Sequence, residues 1–268
     1  MSTHRSKKPS SDVLSSHNPL SNNLSNIIIL LTACINPGAV TAVQRSDPMA
    51  RLSDYKQALR LWLGSTGVQT IVFCENSGFD LTEIETICQQ RDSRHKTVEV
   101  LGFAGQEFDP RLGKGYGEMG IIAHAITRSR FITPTSLVVK VTGRYFMRNI
   151  DKLLAAMIVA RDIDVFCDMR EALSVADSRV FGGSVRFIAN YLLPMQEHIN
   201  DSEGIYFEHI LARSTHRAMA DGLRWAMLPE APRIHGISGT NGMAWDESLL
   251  HNVRSSLSHQ LRRAFVMR

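Results

Sequence analysis

Six consecutive residues, Lys140-Val141-Thr142-Gly143-Arg144-Tyr145, place an ammonium, a hydroxyl, a glycine and a guanidinium side by side. These are groups suited to phosphate: the arginine fork matches two oxygens, the lysine is a point charge, and glycine lets backbone approach a ligand closely. The same two cations equally suit structural ion pairs, the usual fate of buried charge. A second stretch, Gly113-Lys114-Gly115-Tyr116-Gly117-Glu118, invites a phosphate-loop reading, because backbone N–H groups at a helix N-terminus attract anions. It matches neither G-x-x-x-x-G-K-[ST] nor G-x-G-x-x-G. A glycine-rich entry that lets a helix pack closely on a sheet explains it as well. A third stretch, Gly204-Ile205-Tyr206-Phe207-Glu208-His209, sets a carboxylate among aromatic rings.

Such groups need elements to position them. Residues 27–35 form a continuous apolar run closed by Asn36-Pro37-Gly38, the pattern of a strand covered on both faces. Met49, Leu52, Tyr55, Leu59 and Trp62 recur at three- and four-residue steps. They predict a helix over 47–63, with Asp47 as cap and Pro48 as first helical residue. Further strands are expected at 68–74, 98–103, 136–141 and 164–167. Helices are expected at 81–90, from the glycine-rich stretch through 126, at 149–160, around 185–193 and at 205–221. A loop with Pro229, Pro232 and the glycines of 236–242 precedes a last helix.

Alternating strand and helix means parallel βαβ units, hence an α/β fold: a Rossmann-like, mostly parallel sheet flanked by helices, with a helical C-terminal portion. In such a sheet ligands bind beyond the carboxyl ends of the strands. The polar residues there are Thr32, Glu75, Asn76, Lys140, Thr142, Arg144, Tyr145 and Asp168. Any one of them is equally well a loop residue or cap; their coincidence at successive strand ends is the argument.

Composition narrows the class. With 44% hydrophobic and 21% charged residues the chain can bury a sizeable core, and no global disorder is implied. A net charge of +4, with no Lys/Arg run interleaved with aromatics, does not favour nucleic acid. A phosphate-bearing small molecule or an anionic membrane surface accounts for the excess. Cys34, Cys74, Cys88 and Cys167 lack C-x-x-C spacing, which suits a reducing, cytoplasmic setting. Residues 1–25 are Ser/Asn-rich and read as a flexible tail without a signal core. The run at 27–35 is too short to span a bilayer. The main domain is expected over 26–246. In 247–268, Leu250, Val253, Leu257, Leu261 and Phe265 recur at helical spacing beside Arg254, Arg262, Arg263 and Arg268. That is a basic amphipathic helix, suited to packing on the domain or to peripheral contact at the inner face of a membrane.

Several of these stretches recur together. Thr32-Ala33-Cys34, Arg45-Ser46-Asp47-Pro48-Met49-Ala50-Arg51 with Tyr55, Glu75-Asn76-Ser77-Gly78, the 113–118 and 140–145 segments and Tyr206-Phe207-Glu208-His209 span nearly the whole fold. The pattern resembles bacterial surface-polysaccharide and lipopolysaccharide glycosyltransferases of GT-A-like fold. The resemblance implies a hexosyltransferase that moves a sugar from a nucleotide-sugar donor to a growing polysaccharide or lipid-linked glycan. It implies donor contacts at Thr32, Ala33, Arg51, Glu75, Asn76, Lys114, Gly115, Glu118, Thr142, Gly143, Tyr145 and Asp168, with the acceptor toward the C-terminus.

Many such enzymes end the fourth strand in Asp-x-Asp, which holds a divalent metal on the donor diphosphate. Here that strand runs into Lys140-Val141-Thr142-Gly143-Arg144 instead. The leaving nucleoside diphosphate still needs positive charge, so Arg144 and Lys140 are expected to supply it, without a metal or other cofactor. Mn²⁺ or Mg²⁺ is the alternative. Asp164 and Asp168, four residues apart on an extended chain, are too distant to chelate one ion together, and His235 alone suits a structural role better. Glu208 is the expected general base toward the acceptor hydroxyl, with Asp177 and Asp168 in reserve; a solvated glutamate is the plainer reading. Two other classes keep the same sheet: a nucleotidyltransferase, which needs acidic metal ligands at a strand end, and a non-catalytic nucleotide-sugar-binding module without a base.

Overall fold

Three isoleucines and two leucines in succession favour extended, doubly covered backbone, and they form the central strand β1 (Ile27–Ala33). It is followed by α1 (Pro48–Gly64), β2 (Thr70–Glu75), α2 (Thr82–Cys88), β3 (Thr97–Gly102), α3 (Gly113–Arg128), β4 (Leu137–Thr142), β5 (Tyr145–Met147) and α4 (Ile150–Val159). Then come β6 (Val165–Phe166), β7 (Met169–Arg170), β8 (Val175–Ala176), β9 (Val180–Ser184), α5 (Val185–Phe187), α6 (Phe207–Ala220), β10 (Trp225–Ala226), β11 (Ile234–Gly236) and α7 (Leu249–Val266). The computed structural model describes residues 27–38, 44–90, 96–160, 162–238, 242–245 and 249–266. The expected tail, 1–25, lies outside the described residues.

The main sheet has the order β10-β6-β9-β4-β1-β2-β3. β3, β2, β1 and β4 are parallel to one another, as the strand–helix alternation requires. β9 runs antiparallel between β4 and β6. Successive side chains of β1 enter opposite cores. Ile29, Leu31 and Ala33 pack with Leu59 and Trp62 of α1, Ile84 of α2 and Leu154 of α4. Ile28 and Leu30 pack with Ile122 of α3 and Ile210 of α6. Helices therefore cover both faces of one sheet, a Rossmann-like α/β arrangement. Asp47 caps α1 through its carboxylate, accepting from the N–H of Met49 and Ala50, with Pro48 in the first turn. All four cysteines are free.

Several elements were not expected. β9 contains Gly182 and Gly183, a pair that reads as a turn. In place, a Cβ on Gly183 would lie 2.9 Å from the Phe187 ring; this glycine lets the strand pass under α5, so packing rather than turning explains it. The β7–β8 hairpin turns through Glu171, Ala172 and Leu173, all at positive φ, with no glycine to announce it. β5 pairs antiparallel with β11 as a small separate ribbon.

Trp62 ties the helix layer to that ribbon. It is fully buried, and its indole N–H donates to the Tyr145 carbonyl at 2.8 Å. Trp62→Ala removes both the packing and the tie, so urea denaturation should show unfolding free energy lower by about 3–5 kcal/mol. A loss below about 1 kcal/mol, the size of an ordinary surface change, would contradict this packing.

Candidate active site

The carboxyl ends of β1, β2 and β4 lie level: Thr32 is in register with Cys74 and Thr142, and Ala33 with Glu75. A cavity of about 350 Å³ opens beyond them, within the range of small-molecule sites. Strand ends supply Thr32, Ala33, Asn76, Thr142, Arg144 and Tyr145. The start of α1 supplies Arg51 and Tyr55, the start of α3 supplies Lys114, Gly115 and Glu118, and the start of α6 supplies Glu208.

Beneath the cavity floor lies Lys140, whose side chain has no solvent exposure. Its Nζ meets Glu118 Oε1 at 2.6 Å and donates to the Ser178 carbonyl at 2.7 Å. Thr32 donates its hydroxyl to the same Glu118 oxygen at 2.7 Å. Burial pushes the Glu118 carboxyl up, but the Lys140 charge and these hydrogen bonds outweigh it and hold the group below the ordinary carboxylate range. Lys140 does not line the cavity. Of its two readings the structure realises the ion pair, which neutralises it.

Other expected contacts serve the walls. Arg51 Nε and Nη2 donate to the Cys34 carbonyl at 2.8 and 2.5 Å, and Nη1 donates to the Arg45 carbonyl at 3.0 Å. The Tyr55 hydroxyl accepts from the Cys34 N–H at 2.9 Å. Together they shape the exit of β1. Glu75 is wholly buried and turned away from the cavity: it accepts from the N–H of Ile35 at 2.8 Å and of Ser77 at 2.9 Å. Gly143 is also absent from the lining. Its N–H donates to the Thr32 carbonyl at 2.8 Å, and a Cβ there would sit 2.8 Å from that oxygen. The close approach that needs glycine is to β1, not to a ligand. Asp168 Oδ1 accepts from the Leu228 N–H at 3.0 Å and lies 3.1 Å from His259 Nε2 of α7. It too lies outside the cavity lining and anchors that helix.

Arg144 differs from these. It is buried and lines the cavity, with its guanidinium 5.9 Å from the Tyr55 ring centroid. Its Nε and Nη1 are buried and have no protein hydrogen-bond partner. Buried polar groups without partners cost stability, and the guanidinium fork is shaped to take two oxygens of an anion. Asn76 has the complementary feature. Its Nδ2 donates to the Gly117 carbonyl at 3.3 Å, which fixes the amide orientation and leaves the buried Oδ1 without a donor.

The glycine-rich stretch is the first turn of α3 rather than a loop. Gly113 has φ +84°, and a Cβ on it would lie 2.0 Å from Asp201 Oδ2; one on Gly115 would lie 2.9 Å from Phe207. Gly113 lets α3 approach the turn at 201–203 and Gly115 the start of α6, the packing explanation. On that side Glu208 accepts from the Ser178 hydroxyl at 2.7 Å. Asp177 is held by Arg170 and Arg179, which outweigh its burial and depress its carboxyl. It is thus tied into ion pairs and does not line the cavity.

Sequence reasoning missed Asp201, Arg179, Ser178 and Trp245, all of which line the cavity. Burial raises the Asp201 carboxyl; Lys114 opposes that and Glu208 adds to it. Arg179 lies 4.5 Å from the Trp245 ring centroid. The signal for Asp201 was the polar turn Asn200-Asp201-Ser202-Glu203-Gly204 before α6.

The donor set at the end of β4 does not suit a divalent cation: it offers one hydroxyl and one guanidinium, and the nearby Glu118 is paired. Such ions take several oxygen ligands, carboxylates foremost. Among the described residues no three His, Cys, Asp or Glu side chains gather to hold a metal. Asp164 accepts from the Arg224 N–H at 3.0 Å, and His235 lies on β11 beside Arg148.

No protein-family model matches the chain, and no curated protein matches it in sequence. Among solved structures it is similar to a protein assigned as a nucleotide-diphospho-sugar transferase from Desulfovibrio desulfuricans G20, at 12% identity, 76% coverage of this chain, 80% of that one and TM-score 0.42. It is similar to one assigned as a glucose-1-phosphate thymidylyltransferase from Bacillus anthracis, at 8% identity, 88% and 95% coverage and TM-score 0.42. Mouse xyloside xylosyltransferase 1 is similar at 11% identity, 76% and 84% coverage and TM-score 0.41. Likenesses this distant assign no activity to the chain.

The Lys140–Glu118 pair generates a stability prediction. Because the folded-state Glu118 carboxyl is depressed, it contributes stability that is present above the unfolded value near ~4.3 and is lost as pH falls through the folded one. Glu118→Gln strands the Lys140 charge, so unfolding at neutral pH should show a loss of about 3–5 kcal/mol. The variant should also lack this part of the acid limb in a stability–pH profile. An unchanged acid limb would show that the pair does not form.

Proposed function

We propose that this chain is a glycosyltransferase that binds a nucleotide-sugar donor in the strand-end cavity and uses Arg144 in place of a metal at the leaving diphosphate. The observation that carries this reading is the buried Arg144 guanidinium, with Nε and Nη1 unpartnered at the cavity wall. A fixed cation of this kind stabilises charge that develops on a phosphate oxygen as the sugar departs, without reorganising during the reaction. Asn76 Oδ1, short of a donor, suits an N–H of the nucleobase or a sugar hydroxyl. Cys34, Gln106 and Phe108 line the same cavity.

In the transfer step the acceptor hydroxyl oxygen attacks the anomeric carbon while the bond from that carbon to the diphosphate oxygen breaks. The bond's electron pair leaves on the diphosphate, beside Arg144. The hydroxyl proton passes to Glu208, whose carboxylate is held by the Ser178 hydroxyl at 2.7 Å and acts as general base. Lys140 touches neither substrate in this account. It is a positioning residue, since its contact with the Ser178 carbonyl at 2.7 Å fixes the loop that holds Glu208. The half-exposed Tyr206 ring at the cavity offers a stacking face for an acceptor sugar. The acceptor class that goes with this reading is a polysaccharide or lipid-linked glycan.

Thermal-shift screening with a panel of nucleoside diphosphates and nucleotide sugars, in the presence of a chelator, tests the donor site. UDP or GDP should raise the melting temperature without added metal. A response confined to nucleoside triphosphates with added metal would favour nucleotidyl transfer instead. With a turnover assay in hand, Glu208→Gln should lower kcat about 10²–10⁴-fold, the usual weight of general-base catalysis, while donor binding is retained. Near-normal turnover would remove Glu208 from the mechanism.

A further inference from the structure

α7 faces the protein with its polar side. At about 100° per residue, each four-residue step turns the helix by about 40°, so Val253, Leu257, Leu261 and Phe265 fall in one stripe and His259 falls opposite. His259 is 1% exposed and its Nε2 lies 3.1 Å from Asp168 Oδ1, while Arg263 donates to the Pro229 carbonyl at 2.9 Å. The stripe points outward, with Val253 at 56%, Leu257 at 55%, Leu261 at 61% and Phe265 at 80% exposure. A surface helix ordinarily hides its apolar stripe against the core. One held by its polar face, with the apolar face in water, marks a contact surface.

Charge selects the occupant. The helix from Leu249 to Val266 contains Arg254, Arg262 and Arg263 and no Asp or Glu. Arg254 is exposed and follows Val253 by one position, about 100° further round, whereas Arg262 is half-buried and donates to the Ser258 hydroxyl at 3.2 Å. A second copy packed stripe to stripe would add further arginines and no carboxylate to meet Arg254, and like charges brought together at an interface oppose association. An anionic bilayer satisfies both features, taking the apolar stripe at the acyl boundary and the exposed Arg254 among the headgroup phosphates. We propose that α7 docks this protein on an anionic lipid surface. No helix among the described residues is long and apolar enough to cross a membrane, so the contact is peripheral. The surface is separate from the cavity and does not depend on the proposed activity.

Vesicle flotation of the purified full-length chain tests this, with phosphatidylcholine vesicles and with phosphatidylcholine–phosphatidylglycerol vesicles. The protein should float with the anionic vesicles and remain below with the neutral ones. Leu257→Glu combined with Leu261→Glu should lower partitioning about 100-fold, since two leucine side chains no longer leave water. Arg254→Ala should lower it about fivefold. All three side chains are solvent-facing, so circular-dichroism melting of the variants should match the parent. Three results would overturn the proposal: no flotation with either vesicle, equal flotation of parent and double variant, or equal binding to neutral vesicles. A dimer by light scattering that the double variant dissolves would assign the stripe to a second copy instead.

Discussion

An ammonium with no access to water is stable only beside a carboxylate and enough acceptors to replace its hydration. Lys140 meets that demand by drawing Glu118 from α3 and the Ser178 carbonyl from the segment before β9 to the end of β4. Thr32 of β1 completes the cluster through Glu118. Four parts of the chain, far apart in sequence, are thereby fixed at one level under the cavity. The position of Glu208 follows from the same cluster, because the residue whose carbonyl holds Lys140 also offers its hydroxyl to Glu208.

The cavity's cations divide by what they touch. Arg51 is bound to backbone carbonyls around β1, and Arg179 is paired with Asp177 and lies against Trp245. Arg144 instead keeps Nε and Nη1 buried without a partner, and the same cavity contains the unpartnered acceptors Asn76 Oδ1 and Asp201 Oδ1. An unmet buried donor and unmet buried acceptors each cost stability. Their coexistence in one cavity describes the complement of a ligand that brings an anion together with N–H or hydroxyl donors. A nucleotide sugar, the donor proposed above, has that composition.

Much of the scaffold was legible in the sequence, since doubly covered strands and three- and four-residue helical spacing announce β1, β2, β4 and α1 directly. The strand expected at 164–167 is β6, but β7, β8 and β10 carry little such signal because two residues show no periodicity, and the glycines of β9 mimic a turn. At the site, Thr32, Asn76, Thr142, Arg144 and Tyr145, which the strand-end rule names, line the cavity. Glu75 and Asp168, named by the same rule, do not line it, because position along a chain does not say which way a carboxylate turns. Both turn to backbone N–H groups of neighbouring loops. Gly143 was read for the wrong neighbour for a related reason, since the close approach it permits is to Thr32. Asp201, Arg179 and Trp245 come from irregular segments, where only the folded chain shows what converges.

Arg144 is the proposed anion receptor of this cavity. Isothermal titration of UDP and GDP into the parent chain and into Arg144→Ala, both in chelator, tests it most directly. Binding to the parent should be measurable and weakened about tenfold or more in the variant, as expected for loss of a charge-assisted hydrogen-bonding group, with the melting temperature of the unliganded variant nearly unchanged. Equal affinity in the two proteins, or a variant that binds normally but unfolds at much lower temperature, would make Arg144 a structural residue and contradict the account.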